Sequence, residues 1–158
     1  MPSVYLETTI ISYLAARPSR DIRVAAHQEI TASWWTDKRS EFNVFASQLV
    51  VQEALVGDAR ASQRRQEVLE GLPLLETTPE ALALAARLVS AGAVPAQAAE
   101  DSLHIAIAAM NGMDYLLTWN CRHIANATLR ARIAAVCEAE GVRAPVICTP
   151  EELETLHD

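Results

Sequence analysis

The chain has 158 residues, of which 51% are hydrophobic, so it is long enough to bury a core and we expect one domain over residues 1–158. Charged residues interrupt the long apolar stretches, and the chain does not open with the basic and apolar regions of a secretory signal. We therefore expect a cytoplasmic protein without a membrane partner. The net charge of −7 argues against a broad basic surface that coats nucleic acid, but it is compatible with a nuclease.

Short apolar runs and helical patterns alternate in the first half of the chain. Residues 4–6 predict a first strand that ends at Glu7, and the hydroxyls of Thr8 and Thr9 can cap a helix that runs to about residue 16. The tryptophans at 34 and 35 are expected to pack on the domain or to form an exposed apolar patch. The other predicted elements of this half are a helix over about 21–38, a strand over 43–46, a helix carrying Glu53 and a helix over about 59–69.

The second half continues the alternation, and two further polar residues stand at its element boundaries. Asp101 lies in the opening turns of a helix predicted over about 98–110, and Asn120 follows a buried strand predicted over 115–118. The other predicted elements are a weak strand over 73–76, a helix from Pro79 to about 91 with Thr78 as its N-cap, a helix over about 125–139, a strand over 145–148 and a capping box over 149–152.

Strands that alternate with helices, without a hairpin signal, predict a parallel sheet covered on both faces. The expected fold is therefore α/β, a three-layer α/β/α sandwich with a central parallel sheet. The glycines form neither a dinucleotide-binding nor a P-loop motif, and no G-x-S-x-G elbow is present. The three cysteines lack C-x-x-C spacing, which argues against a zinc site or a disulfide framework. An aspartyl phosphatase is disfavoured because the first strand ends in Glu-Thr-Thr.

Four acidic or amide residues stand where predicted strands pass into helices: Glu7, Glu53, Asp101 and Asn120. Such residues can converge at one edge of a parallel sheet, where open α/β folds bind their ligands. A cluster of like charges needs a cation, and carboxylate oxygens suit Mg²⁺ or Mn²⁺. We predict Glu7, Asp101 and Asn120 as metal ligands, and Glu53 as the residue that completes the cage or orients a water. Each also has a simpler interpretation as a helix-terminus, solvated or turn residue.

The segments around these residues resemble the PIN-domain ribonucleases, especially the VapC-like toxins of type II toxin-antitoxin pairs. The motifs are Val-Tyr-Leu-Glu7-Thr-Thr-Ile, Ser-Gln-Leu-Val-Val-Gln-Glu53, Glu-Asp101-Ser-Leu-His-Ile-Ala and Tyr-Leu-Leu-Thr-Trp-Asn120. The resemblance implies endonucleolytic cleavage of RNA with one or two Mg²⁺ or Mn²⁺ ions, a cognate antitoxin protein and a homodimer. The chain departs from the family at Glu7, where Asp is usual, and has Asn120 where Asp is common. These departures motivate the alternative of a catalytically weak, PIN-like binding module.

Other polar residues near the motifs are candidates for contacts with substrate. Thr8 and Thr118 can bond a ligand carboxylate or a phosphate, although local capping is an equal alternative, and Arg122 follows Asn120 closely. Arginines also follow the first two motifs, either as phosphate contacts or as a solvated face: Arg17, Arg20, Arg23, Arg60, Arg64 and Arg65. His104, one helical turn after Asp101, is expected to be a packing residue.

Overall fold

A computed structural model describes residues 1–155, and its centre is a sheet of five parallel strands in the order β3-β2-β1-β4-β5. The first strand pairs with the second and fourth, so it lies at the middle of the sheet. The strands are β1 (Ser3–Leu6), β2 (Asn43–Ser47), β3 (Leu74–Leu75), β4 (Tyr115–Leu117) and β5 (Val146–Cys148).

Helices pack in two groups around the sheet. The helices are α1 (Thr8–Ala15), α2 (Ile22–Ser33), α3 (Gln48–Ala54), α4 (Ala59–Leu69), α5 (Pro79–Ser90), α6 (Ala99–Met110), α7 (Ala127–Ala139) and α8 (Pro150–Thr155). In one group α1 contacts α2, α3 and α4, and in the other α5 contacts α6 and α7. The predicted three-layer α/β/α sandwich with a parallel sheet is confirmed.

The middle of the sheet is the most deeply buried part of the fold. The side chains of β1 from Val4 to Leu6 and those of Leu116 and Leu117 in β4 have no exposed surface. The near-continuous apolar character of these strands is what a parallel sheet covered on both faces requires. Within residues 1–155, no helix is both long enough and apolar enough to cross a bilayer.

Side-chain caps fix most of the helix starts. A side-chain oxygen accepts a backbone N–H at the start of α2, α3, α4, α5 and α7, from Asp21, Ser47, Asp58, Thr78 and Asn126 respectively. The predicted capping box is also present, since the Thr149 N–H donates to Glu152 and the Glu152 N–H donates to Thr149. The predicted start of α7 near residue 125 is two residues early, because Asn126 caps the helix from outside.

The helix predicted over 21–38 is interrupted. Helix α2 ends at Ser33, and a π-helical turn over Trp34–Lys38 and a 3₁₀ turn over Arg39–Glu41 follow it. Trp34 is fully buried and packs against Phe42, with ring centroids 5.8 Å apart. The guanidinium of Arg39 lies 4.0 Å from the ring centre of half-buried Trp35. The two tryptophans therefore pack on the domain, which was one of the two expectations.

Candidate functional site

Glu7 is held at the carboxyl end of the central strand by neutral donors. It is the N-cap of α1 and only 4% of its surface is exposed. Its Oε1 accepts hydrogen bonds from the Thr9 N–H at 3.2 Å, the Thr9 hydroxyl at 2.5 Å and the Thr118 hydroxyl at 2.6 Å. Three donors on one oxygen fix the carboxyl group, and Oε2 accepts no hydrogen bond from any residue in 1–155.

Glu53 reaches the same edge from α3, where its side chain is 27% exposed. Its Oε1 accepts a hydrogen bond from the Thr8 hydroxyl at 2.6 Å and lies 2.5 Å from Nε2 of His104. Partial burial would raise the pKa of the Glu53 carboxyl, but the hydrogen bond and electrostatic attraction of His104 and the hydrogen bond from Thr8 outweigh burial, so the pKa lies below its ordinary value of 4.5. Because Thr8 follows Glu7 in the chain, its bond brings the two carboxylates to one place.

Thr118 links Glu7 to Asn120. Its side chain is fully buried at the end of β4, where its hydroxyl donates to Glu7 and accepts from the Asn120 N–H at 2.9 Å. The side-chain oxygen of Asn120 accepts from the N–H of His123 at 3.1 Å, as in the turn role proposed for it above. Asn120 is therefore beside the carboxylates, but its amide oxygen already has one local partner.

Asp101 lies in the first turn of α6, half-buried and one turn before His104. Its carboxylate makes no hydrogen bond or ion pair with any residue in the described part of the chain. The exposed carboxyl of Glu100, its neighbour, lies beside that of Glu53. Glu100 was not among the predicted site residues, and its signal in the sequence was only its place next to Asp101 in an acidic first turn.

His104 is the buried and satisfied packing residue that was expected, but one of its two contacts reaches the site. It is 1% exposed, and it bonds the Tyr5 hydroxyl through Nδ1 at 2.7 Å and Glu53 through Nε2. The Tyr5 hydroxyl also lies 2.8 Å from that of Ser47, at the end of β2. Burial raises the pKa of Tyr5 far above its ordinary value, so the phenol stays protonated. A weak signal was available, since His104 lies one turn after Asp101 on the same helix.

The charge at this edge is uncompensated by arginine or lysine. Within residues 1–155, no ion pair joins such a side chain to Glu7, Glu53 or Asp101. No three His, Cys, Asp or Glu side chains in that range are grouped closely enough to hold a metal ion as they stand. The available donors are nevertheless oxygens of the kind that Mg²⁺ and Mn²⁺ prefer. The donor oxygens therefore suit such an ion, but they do not lie close enough together to coordinate it as they stand.

The arginines that follow the motifs divide into two kinds. Arg64 donates to the carbonyl oxygen of Ala15 at 2.9 Å, and Arg65 donates to those of Ala54 at 3.0 Å and Val56 at 2.6 Å. These two side chains satisfy carbonyls at the ends of α1 and α3, so a fold role explains them. Arg122 is exposed in the turn after Asn120, as are Arg17, Arg20 and Arg23 in the α1–α2 region.

Comparison with protein-family models and with curated proteins finds no match to this chain. Its function is therefore inferred from the carboxylates at the sheet edge, the contacts that hold them and the sequence motifs around them.

Proposed function

We propose that the protein is a metal-dependent endoribonuclease that hydrolyses RNA phosphodiester bonds at the carboxyl edge of the sheet. The observation that supports the proposal most is the placement of Glu7 and Glu53. Each carboxylate is fixed through one oxygen by threonine or histidine donors and lacks a partner among the arginines and lysines of residues 1–155. Keeping carboxylates ionised in this way raises the free energy of the folded protein unless a cation shares the site.

Glu7 and Asp101 are the residues best suited to hold Mg²⁺ or Mn²⁺. Glu7 would bind through Oε2, because Oε1 is taken by its three hydrogen bonds. Asp101 has a carboxylate without a competing partner in residues 1–155, and Asn120 would contribute directly or through a water. When bound, such an ion supplies polarisation of a phosphate oxygen and a more acidic water.

The chain itself supplies orientation and proton transfer. Thr8 and His104 hold Glu53 so that it can orient the attacking water and accept its proton at Oε2. Its lowered pKa keeps the carboxyl ionised at neutral pH, as a base must be. Thr8 and Thr118, first considered as substrate contacts, donate to carboxylates, so we assign them to positioning. Exposed Arg122 remains the candidate contact for a substrate phosphate.

The biological setting follows from the motifs rather than from the geometry. Their resemblance to VapC-like toxins supports a cytoplasmic toxin whose substrate is RNA, with a cognate antitoxin protein as partner and a homodimer as the assembly. Expression of the chain alone should then arrest growth, and co-expression of the antitoxin should relieve the arrest. Growth unaffected by a folded, active nuclease would contradict the toxin assignment while leaving the enzymatic one in place.

Cleavage of total cellular RNA tests the enzymatic proposal. Purified wild-type protein is incubated with Mg²⁺, Mn²⁺ or a chelator beside Asp101→Asn, which removes one ligand charge, and Asp114→Asn, which changes a carboxylate outside the site. We expect discrete fragments with either metal, none with the chelator and none from Asp101→Asn. Cleavage retained by folded Asp101→Asn would refute the assignment.

A non-catalytic module is the second candidate, and the geometry of Asn120 favours it. The local bond to His123 and the open arrangement of the acidic side chains are what a site that has lost its metal would show. RNA that survives every metal condition, together with a stable complex with a protein or RNA partner, would identify the module.

A further inference from the structure

A buried chain of hydrogen bonds runs from the end of β2 to the candidate site. It consists of Ser47, Tyr5, His104 and Glu53, called the relay below, and its successive contacts measure 2.8, 2.7 and 2.5 Å. Ser47 and Tyr5 have no exposed surface and His104 has 1%. The relay thus joins two strands and two helices, and only its last member reaches solvent.

The direction of the hydrogen bonds in the relay follows from its first contact. The backbone N–H of Val50 donates to the Ser47 oxygen at 3.2 Å, and the Tyr5 oxygen is the one acceptor within residues 1–155 for the Ser47 hydroxyl proton, so Ser47 donates to Tyr5. Tyr5 then donates to Nδ1 of His104, and the proton on Nε2 is directed at Glu53. Each hydroxyl and ring proton has an acceptor in this direction. The reverse direction leaves the Ser47 hydroxyl proton without an acceptor within residues 1–155.

A purely structural role does not require this arrangement. Phenylalanine and leucine would fill the positions of Tyr5 and His104 without polar atoms to satisfy, and burying polar groups is unfavourable unless every one is bonded. The relay ends instead on the oxygen of Glu53 that Thr8 also contacts. Its effect is to fix which of the two carboxylate oxygens stays available.

We propose that His104 is a positioning residue, whose Nε2–H holds Glu53 by Oε1 and leaves Oε2 for the attacking water. The inference rests on the proposed nuclease function and deepens it. In this proposal the relay orients Glu53, the base, and residues outside the relay provide the affinity for substrate. Loss of the relay should therefore reduce kcat more than it changes KM.

Three variants and one control test the proposal on a short RNA substrate with Mn²⁺. His104→Leu removes both contacts and should lower kcat about 10–100-fold, with KM changed by less than about twofold. His104→Gln keeps an N–H that can reach Glu53 and should recover most of that loss. Tyr5→Phe removes the donor to Nδ1 and the acceptor of the Ser47 hydroxyl but keeps the contact of His104 with Glu53, so it should have an intermediate effect. Ile133→Val, at a fully buried position of α7, is the control for a small loss of packing and should leave kcat unchanged.

A kcat for folded His104→Leu equal to that of Ile133→Val would overturn the proposal, as would a failure of His104→Gln to recover activity. Nitrogen NMR of His104 separates this result from a failure of the nuclease assignment, because it needs no substrate. We expect a proton on Nε2, with a signal that shifts in Glu53→Gln. An Nδ1–H form, or a signal indifferent to Glu53→Gln, would overturn the positioning role even if the wild type cleaves no RNA.

Discussion

At the amino-terminal edge of the sheet, Asp114 accepts hydrogen bonds from the N–H and hydroxyl of Ser3 at 2.8 and 3.1 Å, and it pairs with Arg143 at 3.1 Å. At the carboxyl edge, Glu7 and Glu53 are bonded by threonine hydroxyls and one histidine, and no arginine or lysine of the described residues 1–155 pairs with them. Asp114 ties the start of β1 to the start of β4 and has its charge compensated. Hydrogen bonds also fix the positions of the carboxylates at the other edge, but no arginine or lysine of residues 1–155 compensates their charge.

The two edges allow a comparison of a carboxylate that serves the fold with carboxylates proposed to serve a site. Backbone and side-chain donors from Ser3, with Arg143, lower the pKa of Asp114 although it is well exposed, so its contribution is to stability. Glu7 is almost fully buried and has no such cation, an arrangement that weakens a fold unless a ligand uses it. The following predictions test this difference, beginning with the largest expected effect.

Glu7→Gln should separate activity from stability. The amide keeps an oxygen for the Thr9 and Thr118 donors but removes the charge that would bind the ion. We expect RNA cleavage to fall about 100-fold or more, while the free energy of unfolding without metal falls by no more than about 2 kcal/mol. Single-turnover cleavage and urea unfolding measure the two effects. Activity close to that of wild type would show that Glu7, like Asp114, contributes to the stability of the fold and not to catalysis.

Thr118→Val tests whether the hydroxyls hold the carboxylates in place. The valine has nearly the same shape, but it removes one of the three donors to Glu7 Oε1 and leaves the Asn120 N–H without its Thr118 acceptor. We expect cleavage to fall about 10–100-fold and stability to fall by about 1–3 kcal/mol. Thr78→Val, which removes only the N-cap of α5, is the matched control and should lose stability alone. Equal loss of activity in the two variants would count against the positioning role.

Asp114→Asn should have the opposite profile from Glu7→Gln. It weakens the bonds to Ser3 and Arg143, and because the side chain is 42% exposed, solvent screening limits the loss of stability to about 1 kcal/mol. Cleavage should stay within about twofold of wild type. Thermal unfolding and the RNA assay together test the comparison, and a large loss of cleavage without unfolding would break it.

The smallest effect concerns pH. Since the folded pKa of Glu53 lies below 4.5, its ionised form contributes stability above that pH, and the contribution is lost as the pH falls through the lower, folded value. The difference in unfolding free energy between wild type and Glu53→Gln should therefore shrink as the pH falls from neutral to below 4.5. Urea unfolding at several pH values measures it. A difference that grows on acidification would show that the carboxyl is not stabilised in its charged form.

Local sequence signals predicted most of the fold. Cap residues such as Asp58 and Thr78 mark helix starts, and short apolar runs mark the strands, so α4 begins and ends where expected. The π-helical turn at Trp34–Lys38 was not predicted, because it depends on how Trp34 packs against Phe42. Strand β3 has only the two residues that pair with β2, which a weak apolar run does not reveal.

The sequence predicted which edge of the sheet carries the candidate site, but it did not predict the contacts between the site's side chains. Boundary positions indicated Glu7 and Asn120, because the carboxyl ends of parallel strands share one edge. The bonds from Thr118 to Glu7 and from His104 to Glu53 join residues that are 111 and 51 positions apart in the chain. Such pairings leave no periodic signal, so neither the contact of His104 with Glu53 nor the position of Glu100 beside Glu53 was expected.

Calorimetric titration of Mn²⁺ into wild type, Asp101→Asn and Asp114→Asn tests most directly whether the uncompensated carboxylates form a cation site. The account predicts binding to wild type, binding of equal strength to Asp114→Asn, and at least about a tenfold weaker affinity in Asp101→Asn. Absence of binding to wild type at millimolar Mn²⁺, or equal affinity in all three proteins, would contradict it.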